Sequence, residues 1–220
     1  MNRAVLWDMD GTLVDSAGYH WQAWRDTMTR EGPPIRYEQF QATFGQRNDS
    51  ILRQWLGARA TPELIRRIGD AKEALYRQQV REQGIAPLPG ALEWVKLLHR
   101  QRWGQAIASA APRANVETIL DVLHASEYFE AIVSAEDVHR GKPDPEVFLI
   151  AATKLDVAPK HCIVVEDAEH GIEAARAAGM KSMGVSQNGK YLPADVVVRS
   201  LDVLDETAFD RLLGNGGMQQ

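Results

Sequence analysis

Ala4-Val5-Leu6-Trp7-Asp8-Met9-Asp10-Gly11-Thr12 is a short apolar run that stops on two aspartates and a glycine. Four apolar residues in a row, without polar alternation, predict a strand buried on both faces, as in a parallel sheet. Comparable runs recur. Ala106-Ile107-Ala108 ends at Ser109, Ala131-Ile132-Val133 ends near Ser134, and Cys162-Ile163-Val164-Val165 ends at Glu166. Ser182–Val185 and Val196–Val198 are further candidates. Between the runs, apolar residues recur at helical spacing: Ala91, Trp94, Val95, Leu98; Val116, Ile119, Leu120, Leu123; Phe148, Ala151, Ala152, Leu155; and Ile172, Ala175, Gly179. Asp144-Pro145 reads as an N-cap followed by proline at the first helical position. Strand and helix thus alternate from about residue 86 to 199, the pattern of right-handed crossovers in a parallel α/β sheet.

Residues 15–85 break the alternation. Trp21, Trp24 and Met28 fall at helical spacing, and Ile51, Trp55 and Leu56 suggest a second helix. Thr61-Pro62-Glu63 opens a third, with Leu64, Ile68, Ala71 and Leu75 along one face. The expected organisation is a catalytic core from 1–14 and 86–214 with a helical cap inserted at 15–85. Hinges are expected near residues 15 and 86, and a flexible tail at 215–220.

The composition excludes several function classes. A net charge of −5 without any Lys/Arg run argues against nucleic acid as a partner. No stretch approaches the roughly 18 apolar residues of a membrane span. The single cysteine, Cys162, rules out an internal disulfide framework and reads as a small buried hydrophobe. Met1-Asn2-Arg3 and the aspartates that soon follow do not form a signal peptide, so a cytoplasmic location is expected. Nothing demands more than a monomer or a weak homodimer.

In an open parallel sheet, ligands bind at the carboxyl ends of the strands. There the chain places Asp8 and Asp10, then Ser109, then Lys142, then Glu166 and Asp167. A lone aspartate after a strand is ordinarily a turn or cap residue. Several acids gathered on one rim are different, because two carboxylates about 4 Å apart repel by about 4 kcal/mol at an effective dielectric near 20. The natural compensation is a hard divalent cation such as Mg²⁺, which favours carboxylates together with phosphate oxygens. Lys142 adds a second positive charge suited to phosphate. Alternation sends Asp8 and Asp10 to the same side. One carboxylate can then attack phosphorus, and the other can move a proton to and from the departing and attacking oxygens. Gly11 lets the chain turn away closely, leaving backbone N–H groups free for phosphate oxygens.

Asp8-Met9-Asp10-Gly11-Thr12-Leu13-Val14-Asp15-Ser16 resembles the first motif of the haloacid dehalogenase-like (HAD) superfamily. Ile107-Ala108-Ser109-Ala110, Gly141-Lys142-Pro143-Asp144 and Val165-Glu166-Asp167-Ala168 resemble the other three motifs, in order. The resemblance covers nearly the whole chain. It implies a Rossmann-like parallel sheet core flanked by helices, with an inserted helical-bundle cap, as in β-phosphoglucomutase and sugar-phosphate phosphatases. It implies that Asp8 is the nucleophile and a metal ligand, and that Asp10 is the acid/base and binds metal through its carbonyl. Ser109, Lys142 and Ala110 would hold the phosphoryl group, and Asp167 and Glu166 the Mg²⁺. In the cap, His20, Lys72 and Arg47 resemble mutase residues, and Arg113 and Asn115 follow Ser109 where phosphate contacts occur. Two departures weigh against mutase activity. The loop Phe44–Ser50 is about one residue short, and Ala111 stands where the mutase has serine.

The expectation is therefore a Mg²⁺-dependent phosphatase of a small phosphorylated metabolite, a sugar phosphate. The alternatives are a phosphomutase or a non-catalytic module on the same fold. Plainer roles are ordinary for some of these residues: His20 as a hydrogen-bonded packing residue, Arg47 as a surface charge, and Trp21 and Trp24 as core. His99, His124, His139, His161 and His170 have no metal-ligand spacing and receive no role, and Gly171 is read as close helix–sheet packing.

Overall fold

Alternation along β1 (Ala4–Trp7) divides the apolar interior in two. Val5 and Trp7 join one buried cluster, and Ala4 and Leu6 join another on the opposite face of the sheet. Both faces are dry because helices cover both. The computed structural model in which this is seen describes residues 3–214, so the tail expected at 215–220 lies outside the described residues.

The other strands are β2 (Gly104–Ala108), β3 (Ala131–Val133), β4 (Cys162–Glu166), β5 (Lys181–Val185) and β6 (Val196–Val198). All pair in parallel, in the order β3-β2-β1-β4-β5-β6. Helices α5 (Ala91–Arg100), α6 (Arg113–Leu123) and α9 (Ala208–Gly214) cover the face that holds Trp7, Ile107 and Ile163. Helices α7 (Glu146–Lys154) and α8 (Glu169–Ala177) cover the face that holds Leu6, Ala106 and Val164. Cys162 is fully buried there, and burial pushes its thiol up to about 12. The chain winds outward from β1 to β3, then resumes at β4 on the other side of β1. The β1/β4 boundary is thus the topological switch point, where a crevice opens at the strand ends.

Four helices lie between β1 and α5: α1 (Ala17–Glu31), α2 (Tyr37–Gln41), α3 (Asn48–Leu56) and α4 (Pro62–Gln83). They enclose their own apolar cluster, which includes Trp24, Met28, Phe40, Leu52 and Ile68. Trp24 meets Trp55 edge-on at 5.0 Å, and Trp21 meets Tyr37 at 5.1 Å. Thr61 caps α4 through its side chain, and Pro62 follows, as the sequence predicts. The buried face of α4 is not the expected one. Ile65, Ile68, Lys72, Glu73, Tyr76 and Val80 point inward, whereas Leu64, Ala71 and Leu75 are only half-buried. Two further corrections concern helix ends. Helix α7 starts at Glu146, because Asp144 Oδ1 accepts from the Glu146 N–H and Pro145 takes the cap position. Gly179 lies past α8 with φ +72°, a left-handed stop rather than part of the stripe. No described helix is long and apolar enough to cross a membrane.

Candidate active site

Asp8 follows β1, and Glu166 and Asp167 end and follow β4, so the switch point itself brings three carboxyl groups together. Asp8 N–H donates to Val165 O at 3.0 Å, which ties the two strand ends in register. One oxygen from each of Asp8, Glu166 and Asp167 lies within 4.8 Å of the others. Lys142 Nζ donates to Asp8 Oδ1 at 2.6 Å and to Glu166 Oε1 at 3.1 Å. Two glycines make the crowding possible. A Cβ on Gly11 would lie 2.2 Å from Asp167 Oδ2, and one on Gly171 would lie 1.8 Å from Glu166 Oε1. Gly171 is a close-packing residue, as expected, and what it packs against is the Glu166 carboxylate of the cluster.

The electrostatics follow from that geometry. Burial, then the charge of Glu166, pushes the Asp8 carboxyl up to about 8 despite Lys142 beside it. Asp167 is driven well above the carboxylate range by burial and by Glu166 and Asp8. Burial alone would lower Lys142, but Asp8 and Glu166 outweigh it and raise it. One lysine does not balance three acids. A hard, oxygen-seeking divalent cation would, and the donor set fits one.

Asp10 sits differently. Ser16 Oγ donates to its Oδ1 at 2.5 Å, and His20 Nε2 lies 3.1 Å from the same oxygen. Lys72 Nζ lies 2.7 Å from His20 Nδ1. An ammonium has no acceptor, so Nδ1 accepts and Nε2 carries the proton toward Asp10. Burial would raise Asp10, but His20, Ser16 and Lys72 together hold it below its ordinary value. His20 is clamped further by Tyr76, stacked at 4.1 Å. The network runs on through Lys72 to Glu73 at 2.8 Å, and Glu73 accepts from Asn115 Nδ2 at 2.5 Å.

The N–H groups of Met9, Asp10 and Ala110 meet no backbone or side-chain acceptor among the described residues. Ala110 lines the cavity beside these groups. Gly11 does not contribute a free amide: its N–H donates to Val14 O at 2.9 Å, and Thr12 N–H is directed at Met9 O. Turn formation uses up the amides that follow the glycine and spares those that precede it, which corrects the expectation for Gly11.

A family model described as haloacid dehalogenase-like hydrolase matches residues 5–185. This chain is a haloacid dehalogenase-like hydrolase. It is 33% identical over 205 residues to β-phosphoglucomutase of Bacillus subtilis, covering 90% of this chain and 89% of that one. It is also 33% identical to hexitol phosphatase B of Escherichia coli, with 95% and 96% covered. A crystal structure of β-phosphoglucomutase from Clostridium difficile superposes with a TM-score of 0.88 at 28% identity, covering 98% of this chain and 99% of that one.

The hydrolase brings Asp8, Asp10, Ser109, Ala110, Glu166, Asp167, His20 and Lys72 to one cavity, with Lys142 bonded to Asp8 and lining the adjoining cleft. Ser109 Oγ accepts from Ala111 N–H at 3.0 Å. Three expected contacts are not brought to that cavity. Arg47 donates to Ala135 O and Val138 O, both at 2.9 Å, and lines a neighbouring cleft with Lys142 and His170. Arg113 is spent on Asp137 and Ile132 O, and Asn115 lies between Glu73 and Arg77. Conversely, Glu73, Asn48, Gln46 and His170 line the cavity although no motif marks them. The only sequence signal for Glu73 is its place beside Lys72, two positions past Ala71 on the expected apolar face.

Proposed function

We propose that this hydrolase is a phosphatase of a small phosphorylated metabolite, a sugar phosphate, working through an aspartyl phosphate on Asp8. The observation that carries this reading is the pairing of two differently set acids: Asp8 within the Lys142–Glu166–Asp167 cluster, and Asp10 held by Ser16 and His20. In the first half, an Asp8 oxygen bonds to phosphorus, the ester P–O bond breaks, and the departing oxygen takes a proton from Asp10. In the second half, water attacks phosphorus, its proton passes to Asp10, and the P–O bond to Asp8 breaks. Both hydrogen bonds to Asp10 fall on Oδ1, leaving Oδ2 for that proton. Ser109, Lys142 and the amides of Met9, Asp10 and Ala110 hold the phosphoryl oxygens. Asp8, the Asp10 carbonyl, Asp167 and Glu166 would hold Mg²⁺, which supplies charge neutralisation at the phosphoryl group.

The residues 15–85 act as a cap on the 1–14 and 86–214 core. The two connections run side by side, with Leu88 N–H donating to Leu13 O at 2.9 Å and Asp15 N–H to Ala86 O at 3.3 Å. The cavity between cap and core is about 40 Å³, far too small for a sugar phosphate. A sugar phosphate enters only if the cap swings away, and its return excludes bulk water. We further assign a cytoplasmic monomer or weak homodimer.

The direct test is Asp8→Asn with p-nitrophenyl phosphate and Mg²⁺. Turnover is expected to fall by at least about a thousandfold, and a retained wild-type rate would remove the covalent mechanism. A phosphate-release screen across sugar, polyol and nucleotide monophosphates names the substrate. A phosphomutase is the second reading, favoured by the likeness to the Bacillus subtilis enzyme. Product analysis with β-glucose 1-phosphate and a trace of its bisphosphate separates the two, since glucose 6-phosphate rather than free phosphate marks the mutase.

A further inference from the structure

Among the described residues, Glu73 is the one carboxylate lining the cavity that comes from the cap rather than from the sheet edge. It is 5% exposed. Its Oε1 accepts from Asn48 at 2.7 Å and from Lys72 at 2.8 Å, and its Oε2 accepts from Asn115. Burial would raise it, but Lys72 and His20 outweigh burial and hold it charged.

The cations around it are all engaged. Lys72 is 1% exposed, divides its donors between His20 and Glu73, and lies over the rings of Trp24 and Tyr76 at 5.1 and 5.3 Å. Arg47, Arg77 and Arg113 donate to protein oxygens. His170 Nε2 lies 3.4 Å from Gly45 O. The rest of the cap-side lining is aromatic or neutral: Trp24, Phe40, Phe44, Ile51, Gln46 and Asn48. Opposite the phosphoryl site, the cavity therefore offers a leaving group C–H-friendly rings, neutral amides and the Lys72–Glu73 pair, whose ammonium is already committed to His20 and Glu73 and whose carboxylate a second phosphate would have to displace.

We infer that the cap side rejects a second negative charge, so that the enzyme takes monophosphate esters of uncharged leaving groups and Glu73 turns away bisphosphates and phosphorylated acids. A second phosphate would have to displace Glu73 from Lys72 or sit unpaired beside it in a poorly hydrated pocket. This inference rests on the phosphatase reading, which sets the reacting phosphoryl group at Asp8. It also bears on the mutase reading, because a mutase must hold a bisphosphate in both orientations.

The experiment compares kcat/KM for β-glucose 1-phosphate with β-glucose 1,6-bisphosphate, and for fructose 1-phosphate with fructose 1,6-bisphosphate. Wild type, Glu73→Gln and Ala111→Lys are compared, with p-nitrophenyl phosphate as the reference substrate. In wild type the monophosphates are expected to lead by roughly a hundredfold, the cost of burying a second phosphate where the lining ammonium of Lys72 is already paired with Glu73. Glu73→Gln should narrow that ratio at least about tenfold through a gain in the bisphosphates. A merely structural role for Glu73 would lower both substrates together and leave the ratio unchanged. Ala111→Lys adds a cation to the cavity lining without touching the bonds of Glu73, and it should narrow the ratio even if Glu73→Gln does not fold. Bisphosphates that keep pace with monophosphates in wild type, or a ratio that neither variant moves, would overturn the inference. In either case p-nitrophenyl phosphate turnover shows that the phosphatase reading survives. If every substrate including p-nitrophenyl phosphate is inert with Mg²⁺, the phosphatase reading fails and takes this inference with it.

Discussion

A methyl group at position 171 would lie 1.8 Å from Glu166 Oε1 and 2.2 Å from its Cδ, so the carboxylate beside Lys142 exists where it does only because residue 171 has no side chain. Gly171→Ala is expected to push Glu166 away and weaken Mg²⁺ by about tenfold or more, the usual loss when a supporting contact to a metal ligand is removed. The Mg²⁺ dependence of turnover measures this, and an unchanged midpoint would refute it. Residues of this kind divide by how local their cause is. Asp8, Asp10, Ser109, Lys142, Glu166 and Asp167 are legible in the sequence because each ends an apolar strand or lies in the loop that follows one, and the strand ends are where ligands bind. Gly171 is visible as close packing, but its partner depends on a side-chain direction that spacing does not give. Arg47 and Arg113 fail as cavity residues for a related reason. A long guanidinium finds the nearest unpaired carbonyls, here Ala135, Val138 and Ile132, and sequence does not reveal which carbonyls those are.

Helix α4 carries the seam between cap and core. Glu73 and Arg77 meet Asn115 of α6, and Arg81 Nη2 donates to Thr118 at 3.1 Å, so residues four apart on one helix read along the other. Asn115→Ala removes the shared partner of Glu73 and Arg77 and leaves buried polar atoms unpaired, a loss of about 2 kcal/mol. Amide exchange in α4 should quicken by about tenfold or more while α7 and α8 keep their protection. Equal exchange in both proteins would show that the seam does not hold the cap. The difference between the expected and the observed buried face of α4 has the same origin. Apolar spacing favours Leu64 and Leu75, but the inward side also carries Lys72 and Glu73, and a buried ion pair is invisible to a hydrophobic pattern. Short elements carry little periodic signal. Helix α2 spans only Tyr37–Gln41, too brief for a repeat to declare itself, whereas β1, β3 and β4 stand out as apolar runs between turns.

At the scale of the molecule, alternation of strand and helix predicts the parallel sheet, and the inserted helices predict the cap. The strand order places β4 beside β1, and no local pattern dictates that order. That order is also what concentrates charge. Because the folded Asp8 carboxyl is raised from 3.8 to about 8, the folded state binds more protons than the unfolded chain between those values. Asp167 shifts in the same direction. Their contribution is therefore fully present below about pH 4 and is lost as pH rises through about 8. The cation-free protein should lose thermal stability steadily from pH 5 to pH 8, and Mg²⁺ should restore more of it at pH 8 than at pH 5. Melting curves with Mg²⁺ and with a chelator test this; a melting temperature in chelator that stays flat or rises over that range would count against the acidic cluster.

The covalent step is the part on which function turns, and it leaves a chemical mark. Enzyme mixed with substrate and Mg²⁺, quenched in acid within one turnover and reduced with borohydride, should carry homoserine at position 8, since an acyl phosphate is reduced and a free carboxylate is not. Homoserine at another aspartate, or at none while phosphate is being released, would contradict the assignment of Asp8 as the group that takes the phosphoryl.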